Sequence, residues 1–250
     1  MKQSRIMMGM TITIEIADQK VGEDTFEKIY SYFQYIDNTF SVFKETSEIS
    51  RINRGEIEKK DYSSDMKEIF KLSEQTKYDT NGYFDIQTPS GTYNPSGLVK
   101  GWAIYNASKI LLADGFQNFY VDAGGDIQTH GLNTEGKPWS IGIRNPFHPE
   151  TEIIKVLSLG NNEGVATSGN YIRGQHIYNP LTKENQLQDI VSVTIIAANV
   201  YEADRFATAV FAMGREGIHF IEKQKGLEGY AIDAKGIATM TSGFTMYVKK

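Results

Sequence analysis

Two oxygen-bearing side chains four residues apart give the sequence its clearest chemistry. In Glu202-Ala-Asp-Arg-Phe-Ala-Thr-Ala209, Asp204 and Thr208 fall on one face of a helix. A carboxylate beside a hydroxyl makes a hard, oxygen-rich corner. It suits Mg²⁺, which keeps waters or substrate phosphates in its remaining positions. The same aspartate can equally support an early helical turn through the helix dipole. His176 opens an apolar stretch directly after Arg173-Gly-Gln175. A histidine there can take a proton from a hydroxyl near neutral pH, or sit hydrogen-bonded and half-buried with no such role. His130, His148 and His219 stand in loop-like or surface contexts. Ser168 precedes Gly169 but lacks the Gly-x-Ser-x-Gly elbow of hydrolases, so it reads as a hydrogen-bonding residue and not a nucleophile. Lys100 can meet a phosphate as a point charge, or be a solvated lysine at a helix start. Tyr83-Phe84-Asp85 after Gly82 sets aromatic rings beside a carboxylate. That patch suits a planar ring ligand, or marks the entry of a core strand.

The elements that must position these groups follow from periodicity. Tyr93-Asn-Pro-Ser-Gly-Leu-Val-Lys-Gly-Trp-Ala103 reads as a loop feeding a helix, with Leu98, Trp102, Tyr105, Lys109 and Leu112 on one face and Gly115 closing it. Asn118 to Asp122 reads as a strand, and Ala123-Gly-Gly125 lets the backbone approach something closely, with Asp122 and Asp126 on either side. Free N–H groups at a helix N-terminus after a glycine loop suit a phosphate, although an ordinary connection with glycine turns reads the same way. Met8 to Ile16 alternates, predicting a half-buried strand with Met10, Ile12, Ile14 and Ile16 inward. Helices are predicted around Phe26–Ile36, in a short piece ending at Asn53, over Ser64–Tyr78 with Ser64 or Asp65 as N-cap, and over Glu202–Met213. Strands are predicted over Trp139–Arg144, Ile153–Leu159, Val165–Gly169, His176–Pro180, Val191–Ala197 and Thr239–Val248. The expected architecture is α+β: one domain over residues 1–250, with mixed, mostly antiparallel sheets and packed helices.

Composition narrows the functional classes. The 250 residues carry a net charge of −5, which gives no reason to expect nucleic-acid binding. With no cysteine, disulfides, thiolate catalysis and cysteine metal sites are excluded. No apolar run approaches the length of a transmembrane helix, and the N-terminus does not read as a signal peptide, so a cytoplasmic protein is expected. No Gly-x-Gly-x-x-Gly opens a βαβ unit, which argues against a Rossmann nucleotide fold.

Taken in order, the blocks carry more than each does alone. Asn94-Pro-Ser-Gly-Leu-Val-Lys-Gly-Trp-Ala103, Gly115 to Asp126, Gly142-Ile-Arg-Asn-Pro146, Val165 to Tyr171, His176-Ile-Tyr-Asn-Pro-Leu-Thr182 and Ala203 to Ala209 resemble the ApbE family, the FAD:protein FMN transferases. Met8-Gly9-Met10 and Phe40 to Asn53 resemble that family's opening. The resemblance runs from about residue 7 to residue 214.

The resemblance implies a Mg²⁺-dependent α+β enzyme with FAD as substrate. It would attach FMN by a phosphoester to a threonine or serine in the flavinylation motif of an acceptor flavoprotein, a post-translational modification that releases AMP. Alternatives are an FAD pyrophosphatase yielding FMN and AMP, or a non-catalytic FAD-binding protein. Carried over, Asp204, Thr208 and the backbone carbonyl of Val99 match the metal ligands, and His176 matches the residue that activates the acceptor hydroxyl. Tyr83, Phe84 and Asp85 match the flavin-contacting segment, with Met8, Asn94, Lys100 and Ser168 lining the same site. Asn94, Asn170 and Asn179 stand where many members carry acids, and Lys183 where they carry glycine. The segment between Asp85 and Asn94 is also short. These departures thin the negative charge expected near flavin and metal.

Overall fold

The structure is a computed structural model, and it describes residues 1–160, 162–170, 178–182 and 190–249. His176 and Lys183 lie outside the described residues, as do the first two positions of the strand predicted over His176–Pro180; the other three, Tyr178, Asn179 and Pro180, are described and form no strand.

Eight described strands form one sheet in the order β1 (Lys2–Met7), β2 (Met10–Ile16), β3 (Phe119–Ala123), β4 (Asp126–His130), β7 (Gly164–Gly169), β8 (Ile190–Ala197), β9 (Glu228–Asp233) and β10 (Ala238–Met240). Every neighbouring pair is antiparallel. Strands β5 (Trp139–Arg144) and β6 (Ile153–Leu159) pair separately as a two-stranded sheet. The helices are α1 (Glu23–Phe40), α2 (Glu48–Asn53), α3 (Ser64–Asp79), α4 (Ser96–Ala113), α5 (Val200–Met213) and α6 (Glu216–Ile221).

The strand alternation expected from sequence sorts the core into layers. Ile12, Ile14 and Ile16 on β2 and Phe119, Val121 and Ala123 on β3 pack against Phe26, Phe33 and Ile36 of α1 and Leu98, Trp102 and Leu111 of α4. Farther along the same face, Ala166, Val193 and Ile195 pack against Ala203, Ala207 and Val210 of α5. The opposite face buries Ile127, Val165 and Ile196 against Ile143, Leu157 and Leu159 of the small sheet.

Several expectations change where long-range or backbone effects take over. Met8 and Gly9 have φ of 54° and 70°, so the strand predicted over Met8–Ile16 begins only at Met10, and those two residues form the turn that joins it to the unexpected β1 in a hairpin. Ser63, and not Ser64 or Asp65, caps α3: its Oγ accepts the Met66 N–H at 3.2 Å. Lys109 is exposed on α4, whereas Val99, Ala103, Ala107 and Leu111 are buried, so this helix is enclosed on more than one side. Of the strands predicted over Thr239–Val248, only β10 forms, and Phe244–Tyr247 turns as a short 3₁₀ helix. Gly124 and Gly125, with φ of 65° and 97°, form the two-residue turn between β3 and β4, matching the mirror-image turns that suit hairpins. That loop therefore feeds a strand and not a helix.

Candidate active site

Helix α5 is fixed at its start. Asn199 Oδ1 accepts the Glu202 N–H at 3.0 Å, and buried Gln128 Oε1 accepts the Val200 N–H at 2.8 Å, which satisfies donors the helix leaves open. Gly164 makes this approach possible, because a Cβ there would lie 1.9 Å from the Val200 nitrogen. Arg205, 7% exposed, then ties α5 to α3. It donates to Asp79 Oδ2 at 2.8 Å and to Glu202 Oε2 at 2.6 Å.

So held, α5 presents Asp204 and Thr208 to the first turns of α4, as their spacing predicts. Thr208 Oγ1 donates to the Gly97 carbonyl at 3.2 Å, and the Gly101 N–H donates to Asp204 Oδ2 at 2.7 Å. Gly101 is required here. A Cβ at that position would lie 2.6 Å from Asp204 Cβ and 2.7 Å from the Val200 carbonyl oxygen. Val99 is buried in the same helical turn, while the carbonyl that Thr208 meets is Gly97's, two residues earlier.

Asp126 completes the cluster, and its role was not evident from sequence. Directly opposed residues of antiparallel strands share a face, so its pairing with Ala123 turns Asp126 towards the helices. Its Oδ1 accepts the Thr167 N–H at 3.0 Å, and its Oδ2 lies 2.5 Å from Lys100 Nζ. The same ammonium is 3.8 Å from Asp204 Oδ1. Asp126 is 1% exposed and Asp204 3%. Burial pushes the Asp204 carboxyl well above the ordinary range; the Lys100 charge opposes that, and the Asp126 charge adds to it. Two carboxyl groups thus face one ammonium in a nearly closed site. With the Thr208 hydroxyl and a main-chain carbonyl beside it, the donor set is all oxygen and fits a hard divalent cation.

The remaining expected residues divide. Phe84 is buried beside this cluster: a Cβ on Gly97 would sit 3.3 Å from its ring and 2.9 Å from Thr208 Cγ2. Ser168 follows Thr167 on β7 and shares the helix-facing side with Ala166 by alternation. Met8 lies in the β1–β2 turn, and Met10, at the start of β2, meets Gly124 of the β3–β4 turn, so this turn stands at the same sheet end as Asp126. Tyr83 is half-buried, and Asp85 is engaged by Lys77 Nζ at 2.6 Å and the Gln87 N–H at 2.8 Å. Asn94 is exposed and accepts from Ser96 Oγ at 2.6 Å, which shapes the entry to α4. The described segment 178–182 joins this region through Tyr178, whose hydroxyl donates to the Gln87 carbonyl at 2.9 Å.

The fold is that of known structures. The ApbE protein of Thermotoga maritima superposes with a TM-score of 0.88 at 21% identity, covering 100% of this chain and 99% of that one. The flavin transferase ApbE of Vibrio cholerae gives 0.83 at 21% identity, covering 99% and 98%. At such identities the likeness is one of fold. Among curated sequences, an FAD:protein FMN transferase of Klebsiella pneumoniae strain 342 is 30% identical over 149 residues, 56% of this chain and 42% of that protein. One from Escherichia coli K12 is 28% identical over 162 residues, 62% and 46%. The matched part spans less than half the length of these relatives. The profile of the ApbE family matches residues 8–91 and 87–231, nearly the whole of the structure built around the Asp204–Lys100–Asp126 cluster, and the chain belongs to that family.

Proposed function

We propose that the protein transfers FMN from FAD to a threonine or serine hydroxyl of an acceptor flavoprotein, in a Mg²⁺-dependent reaction that releases AMP. The observation that carries this reading is the buried Asp204–Lys100–Asp126 cluster beside the N-terminal turns of α4. Asp204, Thr208 and a main-chain carbonyl in the first turn of α4, Val99's in the sequence reading, are the oxygen donors we assign to the metal. Bound there, Mg²⁺ would neutralise diphosphate charge. The N-terminal end of α4 favours the same anion through its dipole. Phe84, with Tyr83 and Asp85 before and after it, is the segment we assign to the flavin, with Met8, Asn94 and Ser168 at the rim.

In the proposed step the acceptor oxygen attacks the FMN phosphorus, the bond to the AMP phosphate breaks, and AMP leaves. His176 takes the acceptor proton; this assignment is supported by the family match and the family's pattern. Little covalent work falls to the protein, so positioning and charge stabilisation dominate. We read residues 1–250 as one domain, supported by the sheet that runs from β1 to β10. Among the described residues no helix is long and apolar enough to cross a membrane.

Mass spectrometry of a reaction with FAD, Mg²⁺ and a protein carrying an Asp-x-x-Thr/Ser-Gly type motif tests the proposal. An adduct of one FMN on that hydroxyl is expected. Asp204→Ala should abolish it, and His176→Ala should slow it by about 10²–10⁴-fold. FMN and AMP without adduct would make the protein a pyrophosphatase. FAD binding without either product would make it a binding protein.

A further inference from the structure

The three charges of the cluster are held asymmetrically. Each carboxylate has one oxygen fixed by the main chain, Asp204 Oδ2 by the Gly101 N–H and Asp126 Oδ1 by the Thr167 N–H. The other oxygens, Asp204 Oδ1 and Asp126 Oδ2, converge on Lys100. Neither carboxylate can rotate without breaking its amide hydrogen bond. The lysine hangs on a flexible four-carbon stem and is the most exposed of the three side chains, at 20% against 2% and 4%. Its ammonium sits at 2.5 Å from Asp126 and 3.8 Å from Asp204, so a short swing would put it on Asp204 Oδ1. There it would occupy the outward oxygen of the assigned metal ligand and repel any cation.

We propose that Asp126 is a positioning residue that holds the Lys100 ammonium off Asp204, keeping Asp204 Oδ1 open to a divalent cation. The Lys100–Asp126 pair is then neutral as a unit, and Asp204 Oδ1 is the oxygen the cation meets. This inference rests on the metal reading of the site. It makes Lys100 and the cation competitors for one oxygen, with Asp126 deciding the competition in favour of the metal.

The test is Mn²⁺ binding to the full chain without FAD, followed by calorimetry, with circular dichroism to verify folding. Asp126→Asn keeps an oxygen for the Thr167 N–H but releases Lys100 to Asp204, and should weaken Mn²⁺ binding about tenfold or more. Lys100→Met removes the competitor and should bind at least as tightly as the wild type. The double variant K100M/D126N removes a neutral pair and should return to within about threefold of the wild type, since the competitor is gone along with its tether. That rescue separates positioning from ligation. If the double variant binds as poorly as Asp126→Asn, Asp126 acts on the metal directly and the inference is wrong. Should Asp126→Asn fold poorly, the comparison of the double variant with the wild type decides the matter. Wild-type protein that binds no Mn²⁺ would overturn the metal reading and this inference together, whereas binding without rescue overturns the inference alone.

Discussion

Replacing Gly101 with alanine tests the packing on which the site depends, because two accounts of that glycine predict opposite signs. On an exposed helix, Gly→Ala stabilises by about 1 kcal/mol through backbone entropy. Here the added methyl would stand 2.6 Å from Asp204 Cβ and 2.7 Å from the Val200 carbonyl oxygen. Ordinary carbon contacts lie near 3.5–4.0 Å, so α4 and α5 must part by about 1 Å. Neither neighbour is the loose end of a side chain: one is a Cβ and the other a main-chain carbonyl. Overpacking of this kind costs about 1–3 kcal/mol, and the upper end applies where the contacts are rigid. Set against the helix gain, the net loss is about 1–2 kcal/mol. For a chain of this size that lowers Tm by roughly 2–8 °C. Thermal denaturation followed by circular dichroism reads the effect, and calorimetric Mn²⁺ titration should show weaker binding, because the Gly101 N–H and Asp204 Oδ2 are drawn apart. An unchanged or raised Tm would refute the close α4–α5 contact.

Two further outcomes follow from groups near the site. The Asp122 carboxyl is pushed up to about 6, first by burial and then by the negative charge of Asp126, against the Gly125 N–H and the charges of Arg144 and Lys2. Because its affinity for the proton is higher folded than unfolded, its contribution is fully favourable below about pH 4 and is lost as pH rises through about 6. Asp122→Asn, which keeps the acceptor for Gly125, should therefore stabilise the protein at pH 7 by about 1–2 kcal/mol after allowing for solvent access, and have little effect at pH 4. Urea denaturation at both pH values would expose an effect of the opposite sign. Arg205→Met removes the α5–α3 clamp but keeps the aliphatic volume; since Asp79 and Glu202 are 26% and 30% exposed and can rehydrate, the cost should be only about 1–3 kcal/mol. An unchanged urea midpoint would show that the clamp does not hold α5.

Local sequence determined what depends on nearest neighbours. The alternation of Ile12, Ile14 and Ile16, the helical recurrence from Phe26 to Ile36, and the four-residue spacing of Asp204 and Thr208 each place side chains on one face of one element, and each stands as read. Local signals failed where backbone geometry or distant partners intervene. The positive φ at Met8 and Gly9 took the first two residues of a predicted strand into a turn, and nothing in residues 228–233 announced β9, which pairs with β8. The site shows the same division. Sequence supplied Asp204, Thr208 and Lys100 as candidates, but the partnership of Lys100 with Asp126 exists only because β4 turns its first residue towards α4. The need for glycine at 101 likewise arises from a helix about a hundred positions away. Periodicity records which face of an element is apolar. It carries no information about which two elements approach within 3 Å, and that approach, made by the packed sheet and helices, is what gathers two carboxylates around one ammonium.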